Sequence, residues 1–188
     1  MPGRRAVISV WDKTGVVDMA RALHEAGFEI LSTSKTAALI RQASIPVTEI
    51  SAYTGSPEIL GGRVKTLHPK IAGGILTTRQ DQTVEPIDVV VCNLYPFADG
   101  LARNASHDEL VELIDIGGIT LLRAAAKNHA FVTVVPEPKY YADVIAGLKA
   151  KGSIGPGLRL KLAAAAFDIT SRYDAAIAGY LHKLIDRV

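Results

Sequence analysis

The sequence predicts an α/β fold built on a mostly parallel, doubly wound sheet. Three observations point there. Short β-branched apolar runs alternate with segments whose apolar residues recur at helical spacing. The run Ile87-Asp88-Val89-Val90-Val91-Cys92-Asn93-Leu94 is apolar through its middle, as a strand covered on both faces should be. The polar turns that follow the strand candidates fall together on one edge of such a sheet.

Taken in order, residues 5–10 are the first strand candidate, with Ala6 to Val10 at its heart. Residues 14–26 place Val16, Val17, Ala20 and Leu23 at helical spacing, and Gly27 supplies a stop. Residues 28–32 read as a second strand, 36–43 as a second helix and 46–50 as a third strand. The 87–94 strand comes next. Ser106-His107-Asp108-Glu109 is a capping box that opens a helix running through Ile114. Residues 120–128 are rich in Ala and Leu and read as helix, and 131–135 as the last strand. Helices near 140–149 and 158–184 complete the pattern, with 152–157 as the loop between them.

With 188 residues, 48% of them hydrophobic, the chain reads as one domain able to bury a core. A net charge of +2, from 21 basic and 19 acidic residues, gives no reason to expect a polyanion. Basic residues form no long run and aromatics do not interleave with them, so no nucleic-acid partner is expected. The single Cys92 rules out an internal disulfide and sits in an apolar run, where a buried, inert thiol is expected. Met1-Pro2-Gly3-Arg4-Arg5 leads straight into a strand pattern, and no apolar run reaches membrane-spanning length. A cytoplasmic protein with no membrane partner is the expectation.

Candidate chemistry gathers at the turns. Gly61-Gly62-Arg63-Val64-Lys65-Thr66-Leu67-His68-Pro69 sets an arginine, a lysine and a hydroxyl behind two glycines. Glycines let backbone approach a ligand closely, Arg63 offers a planar fork of donors and Lys65 a point charge, which together suit a phosphate. Trp11-Asp12-Lys13-Thr14-Gly15 follows the first strand and Thr33-Ser34-Lys35-Thr36 the second. Both put a lysine and hydroxyls before a helix, whose free N–H groups and dipole favour an anion. Thr14, Ser34 and Thr36 read equally well as ordinary helix caps. Ile114-Asp115-Ile116-Gly117-Gly118 puts an acid before a glycine pair, and Lys127 follows among small alanines. A desolvated lysine near a carboxylate can shuttle protons; a structural ion pair between Asp115 and Lys127 is the plainer alternative. His68, His107 and His129 lack metal-ligand spacing, so no metal is assigned. No Walker-type, Gly-x-Gly-x-x-Gly or Gly-x-Ser-x-Gly loop occurs.

These blocks carry a resemblance. Ser9-Val10-x-Asp12-Lys13-Thr14-Gly15, Tyr53-Thr54-Gly55-x-Pro57-Glu58, Gly62 to Pro69, Cys92-Asn93-Leu94-Tyr95-Pro96-Phe97, Ile114 to Gly118 and Arg123-Ala124-Ala125-Ala126-Lys127-Asn128-His129 follow one another across nearly the whole chain. Ala166-Phe167 and Tyr173-Asp174-Ala175-Ala176-Ile177 extend the match. The chain resembles the IMP cyclohydrolase domain, the amino-terminal half of the bifunctional purine-biosynthesis protein that also carries AICAR formyltransferase.

The resemblance implies a methylglyoxal-synthase-like, three-layer α/β/α sandwich over residues 1–188, with the formyltransferase domain absent. It implies closure of FAICAR to IMP plus water, the last step of purine synthesis, with no cofactor and no metal. Lys13, Thr33, Thr36, Arg63 and Thr66 would hold the phosphate, with Asp12, Ser34 and Lys35 in the same two turns. Lys65 would stabilise the transition state. Asn93 and Tyr95, next to Cys92, would address the base and formyl group. Asp115, with the Ile116 and Gly117 backbone, would orient the carboxamide, and Lys127 would donate or accept the proton. The full-length family proteins are dimers, so a homodimer is among the expectations.

The chain departs from the family at Ser34-Lys35, where glycines are usual, at Trp11, where serine is usual, and at Ala72, where histidine is usual. Its 76–87 stretch is also shorter. Two other readings stay open: a non-catalytic nucleotide-binding or regulatory module, as the fold serves in carbamoyl-phosphate synthetase, and methylglyoxal synthase itself.

Overall fold

The structure, a computed structural model, describes residues 3–80 and 83–185. Five strands, β1 (Arg4–Ser9), β2 (Phe28–Ser32), β3 (Thr48–Glu49), β4 (Val89–Cys92) and β5 (Thr133–Val135), form one sheet in the order β3-β2-β1-β4-β5. Every neighbouring pair is parallel. Ala6 pairs with Ile30 on one side and Val89 on the other, which sets the register of the central strands.

The helices are α1 (Val16–Glu25), α2 (Ser34–Gln42), α3 (Ile50–Thr54), α4 (Pro69–Leu76), α5 (Phe97–Ala102), α6 (His107–Glu112), α7 (Gly117–Lys127), α8 (Tyr141–Lys151) and α9 (Pro156–Ile185), with 3-10 turns at Leu60–Gly62 and Pro138–Tyr140. Successive strand residues point to opposite faces. Ala6, Val7 and Ile8 in β1, and Val89 to Cys92 in β4, are all buried, so both faces of the sheet are covered. Helix α1 packs with α8 and β2, while α7 packs with α4, α9 and β4. The predicted doubly wound sheet is therefore present, and all its pairings are parallel. No helix among the described residues is long and apolar enough to cross a membrane.

Several elements differ from the sequence expectation. The third strand shrinks to two residues because the chain turns into α3 at Ile50. Helix α7 begins at Gly117, three residues earlier than expected, and β5 begins at Thr133. Helices α4 and α5 lie in segments to which no element was assigned. Helix α4 starts at His68, whose Nδ1 accepts from the Lys70 N–H at 3.1 Å, with Pro69 in the first turn. Its Gly74 is forced by packing: a Cβ there would stand 2.7 Å from the Glu85 carbonyl oxygen.

Candidate active site

In a doubly wound sheet, ligands collect beyond the carboxyl ends of the strands, where the strand order reverses. Here β1 lies between β2 and β4, and the turns after all three meet around one cavity of about 590 Å³. That volume lies within the range of ordinary ligand sites, roughly 300–1,000 Å³.

The turn after β1 is fixed by a residue from the turn after β4. Asn93 Oδ1 accepts from the N–H groups of Trp11 at 2.6 Å and Asp12 at 2.9 Å, and its Nδ2 donates to the Asp12 carbonyl at 3.0 Å. Lys13 Nζ donates to the carbonyls of Val10 and Trp11. The turn after β2 leads into α2. Thr33 is its N-cap, in extended conformation and without a side-chain cap. The first intrahelical bond runs from the Ala37 N–H to the Thr33 carbonyl at 2.7 Å. The N–H groups of Ser34, Lys35 and Thr36 thus open the helix with their dipole end towards the cavity they line. The buried Thr36 hydroxyl donates to the Val10 carbonyl at 3.3 Å.

A third wall is a small hairpin. Ile59 and Val64 exchange backbone hydrogen bonds of 3.2 and 3.4 Å, and Leu60, Gly61 and Gly62 all have positive φ between them. A Cβ at Gly62, whose φ is 90°, would meet Lys65 Cε at 2.7 Å and push that side chain from its place. The hairpin brings Lys65 to the cavity, with Nζ 4.0 Å from Glu58 Oε2, and Arg63 to its mouth. The exposed Arg63 guanidinium is paired with Glu112 of α6. Thr66 is buried, its hydroxyl so close to Gly117 that a Cβ there would stand 2.8 Å away.

The fourth wall is the start of α7. Asp115 Oδ1 accepts from the Gly118 N–H at 2.6 Å, and the Asp115 N–H donates to the Tyr173 hydroxyl at 2.9 Å. Burial is the main cause that pushes the Asp115 carboxyl above its ordinary range; the N–H groups of Gly118 and Tyr95 and the charge of Lys65 oppose it. Tyr95 is pushed up by burial and then by Asp115. Lys13 is pushed down, by burial first and then by Lys35, with Asp12 opposing and Lys65 adding to the shift. Burial pushes the Cys92 thiol far up, so it is a poor nucleophile at the cavity floor.

Of the residues singled out in the sequence, Lys13, Thr33, Ser34, Lys35, Thr36, Arg63, Lys65, Thr66, Cys92, Asn93, Tyr95, Asp115, Ile116 and Gly117 all line this cavity. Asp12 does not. Its carboxylate accepts from the Thr14 N–H at 2.9 Å and supports the turn. Nor does Lys127 line the cavity. It is the exposed last residue of α7, ten positions after Gly117, which places it about 15 Å along the helix axis from the cavity. It cannot pair with Asp115 of the same chain. The Asn93 amide is committed to the β1 turn, which limits its use on a ligand. Sequence reasoning missed Glu112 and Val111, which reach the cavity from α6; only a capping box marked that helix. Among the described residues, no group of three or more His, Cys, Asp or Glu could hold a metal ion.

Comparison with known proteins gives the following. The model of the MGS-like domain family matches residues 15–120, and that of the AICARFT/IMPCHase bienzyme matches residues 125–187. The bifunctional purine biosynthesis protein PurH of Persephonella marina is 50% identical over 190 residues, which is 96% of this chain and 37% of that protein. PurH of Thermosynechococcus vestitus is 52% identical over 193 residues, 97% of this chain and 37% of that protein. The chain therefore spans little more than a third of the length of these curated relatives. A crystal structure of ForH superposes with a TM-score of 0.77 at 33% identity, over 94% of this chain and 97% of that one.

Proposed function

The chain belongs to the MGS-like domain family, and on that premise we propose that it is an IMP cyclohydrolase, closing FAICAR to IMP with loss of water. One observation carries the reading. Lys13 and Lys35 line the cavity without an ion-pair partner among the described residues, and the partly buried Asp115 carboxyl lines the same cavity. Unpaired cations beside a helix N-terminus suit a ribose phosphate. A carboxyl whose proton affinity is raised by burial suits work as a general base.

The reaction attaches a carboxamide nitrogen to a formyl carbon. An amide nitrogen is a poor nucleophile, so holding it in attack geometry is the largest contribution to expect from the protein. Asp115 and the start of α7 orient the carboxamide, and Asp115 takes up the proton that the nitrogen releases. Lys65 stabilises charge on the formyl oxygen, with Tyr95 beside it. That oxygen departs as water with two protons, the one Asp115 took from the carboxamide nitrogen and the one the formamide nitrogen gives up as its C=N bond forms and the C–O bond breaks. The proton path runs through these cavity groups rather than through Lys127.

The test is FAICAR consumption by the purified chain without added cofactor. Conversion to IMP supports the proposal. IMP binding without turnover would favour a non-catalytic nucleotide-binding module, and neither binding nor turnover would overturn the nucleotide reading itself.

A further inference from the structure

We propose that Trp11 is the surface on which the purine base stacks, which makes it a specificity-determining residue of the cavity. The inference rests on the nucleotide reading above. Trp11 is the only tryptophan of the chain, and it lies in the cavity wall with half of its surface exposed. A large apolar ring left half-open in a concave site is a surface that a ligand can cover.

The position of the ring is built. Asn93 holds the backbone N–H of Trp11 at 2.6 Å and that of Asp12 at 2.9 Å, so the turn cannot swing outwards without breaking both bonds. Lys13 Nζ donates to the Trp11 carbonyl at 3.1 Å, which puts the Trp11 backbone beside that lysine. The indole meets Tyr95 edge-to-face, with centroids 5.1 Å apart and planes at 66°. Tyr95 and Asp115 line the same cavity. Trp11 therefore touches Lys13 through its carbonyl and Tyr95 through its ring. A nucleotide with its phosphate at Lys13 and Lys35 and its reacting groups at Asp115 lays its flat heterocycle against this ring, and flat heterocycles stack on aromatic side chains whatever their sequence of ring atoms.

Calorimetry with IMP and with ribose 5-phosphate, on wild type, Trp11→Ser and Trp11→Phe, tests this. Trp11→Ser is expected to weaken IMP binding about ten-fold or more, while Trp11→Phe stays within about three-fold of wild type. Ribose 5-phosphate, which has no base, is expected to bind all three alike. In wild type, IMP is also expected to change the emission of this single tryptophan saturably. Equal loss of both ligands in Trp11→Ser would mean that the residue only shapes the turn, and undiminished IMP binding would mean that it touches no base. Either result overturns the inference while leaving the nucleotide reading intact. A wild-type chain that binds no IMP would overturn both.

Discussion

Adding one methyl group at Gly118 tests how tightly the catalytic wall is built. The glycine is the second residue of α7 and is buried. A Cβ there would stand 2.5 Å from Asp115 Oδ2 and 2.9 Å from both Asp115 Cγ and Leu94 Cδ2. The carboxylate would have to leave the Gly118 N–H that it now accepts at 2.6 Å. Three contributions compete in Gly118→Ala. Helix propensity favours alanine by about 1 kcal/mol. Overpacking costs about 1–3 kcal/mol. Loss of a hydrogen bond to a carboxyl group costs about 1–3 kcal/mol. The net expectation is destabilisation by about 3 kcal/mol, which for a chain of this size lowers the melting temperature by about 6–12 °C. Turnover of FAICAR should collapse with it, because Asp115 is displaced. The matched control is Gly179→Ala in α9, where a Cβ has nothing within 4 Å. There helix propensity acts almost alone, and a gain of about 0.5–1 kcal/mol is expected. Differential scanning calorimetry on both variants decides. A Gly118→Ala chain as stable and active as wild type would refute the reasoning, as would two variants shifting in the same direction.

Other outcomes follow from the same geometry. Asp115 is raised chiefly by burial, so the folded chain keeps a proton there at pH values where the unfolded chain has lost it. The stability this proton carries is full below the ordinary carboxylate value, about 4, and is lost as pH rises through the higher folded value. Asp115→Asn removes the charge and keeps an oxygen for the Gly118 N–H. It should therefore gain stability over wild type at neutral pH, lose that gain in acid and be inactive; urea midpoints at both pH values check this, and a neutral-pH loss would contradict it. Lys127→Ala should keep both IMP affinity and FAICAR turnover, since the lysine is exposed at the far end of α7. Abolished turnover with intact IMP binding would mean that Lys127 acts on the cavity of a second copy.

What the sequence revealed, and what it hid, have physical causes. β1 and β4 were legible because their central residues are buried on both faces, which leaves unbroken apolar runs, and β2 from its buried Phe28, Ile30 and Leu31 although Glu29 between them is exposed. β3 was overestimated because Pro46-Val47-Thr48-Glu49-Ile50 has strand composition, while only Thr48 and Glu49 pair with β2. Helix α4 carries Gly73 and Gly74, residues that weaken a helical pattern, and their lack of a side chain lets the segment before β4 pack close. Most cavity residues were legible because helix starts and glycine turns mark the functional edge of such a sheet. Lys127 was given its site role by the resemblance and by the small alanines before it, while α7 was read from Thr120 rather than Gly117. With the full helix in view, residues at its two ends cannot share one site. The pairing of Arg63 with Glu112 joins segments 49 positions apart, and no local pattern announces such a contact.

A crystal structure of the chain with IMP bound tests the central claim most directly. The phosphate is expected between Lys13, Lys35 and the opening N–H groups of α2, with the base against Trp11 and its reacting edge at Asp115. IMP seated in the open groove lined by His24, Phe28 and Pro46, or lying in the main cavity with its phosphate at Asp115, would contradict that claim.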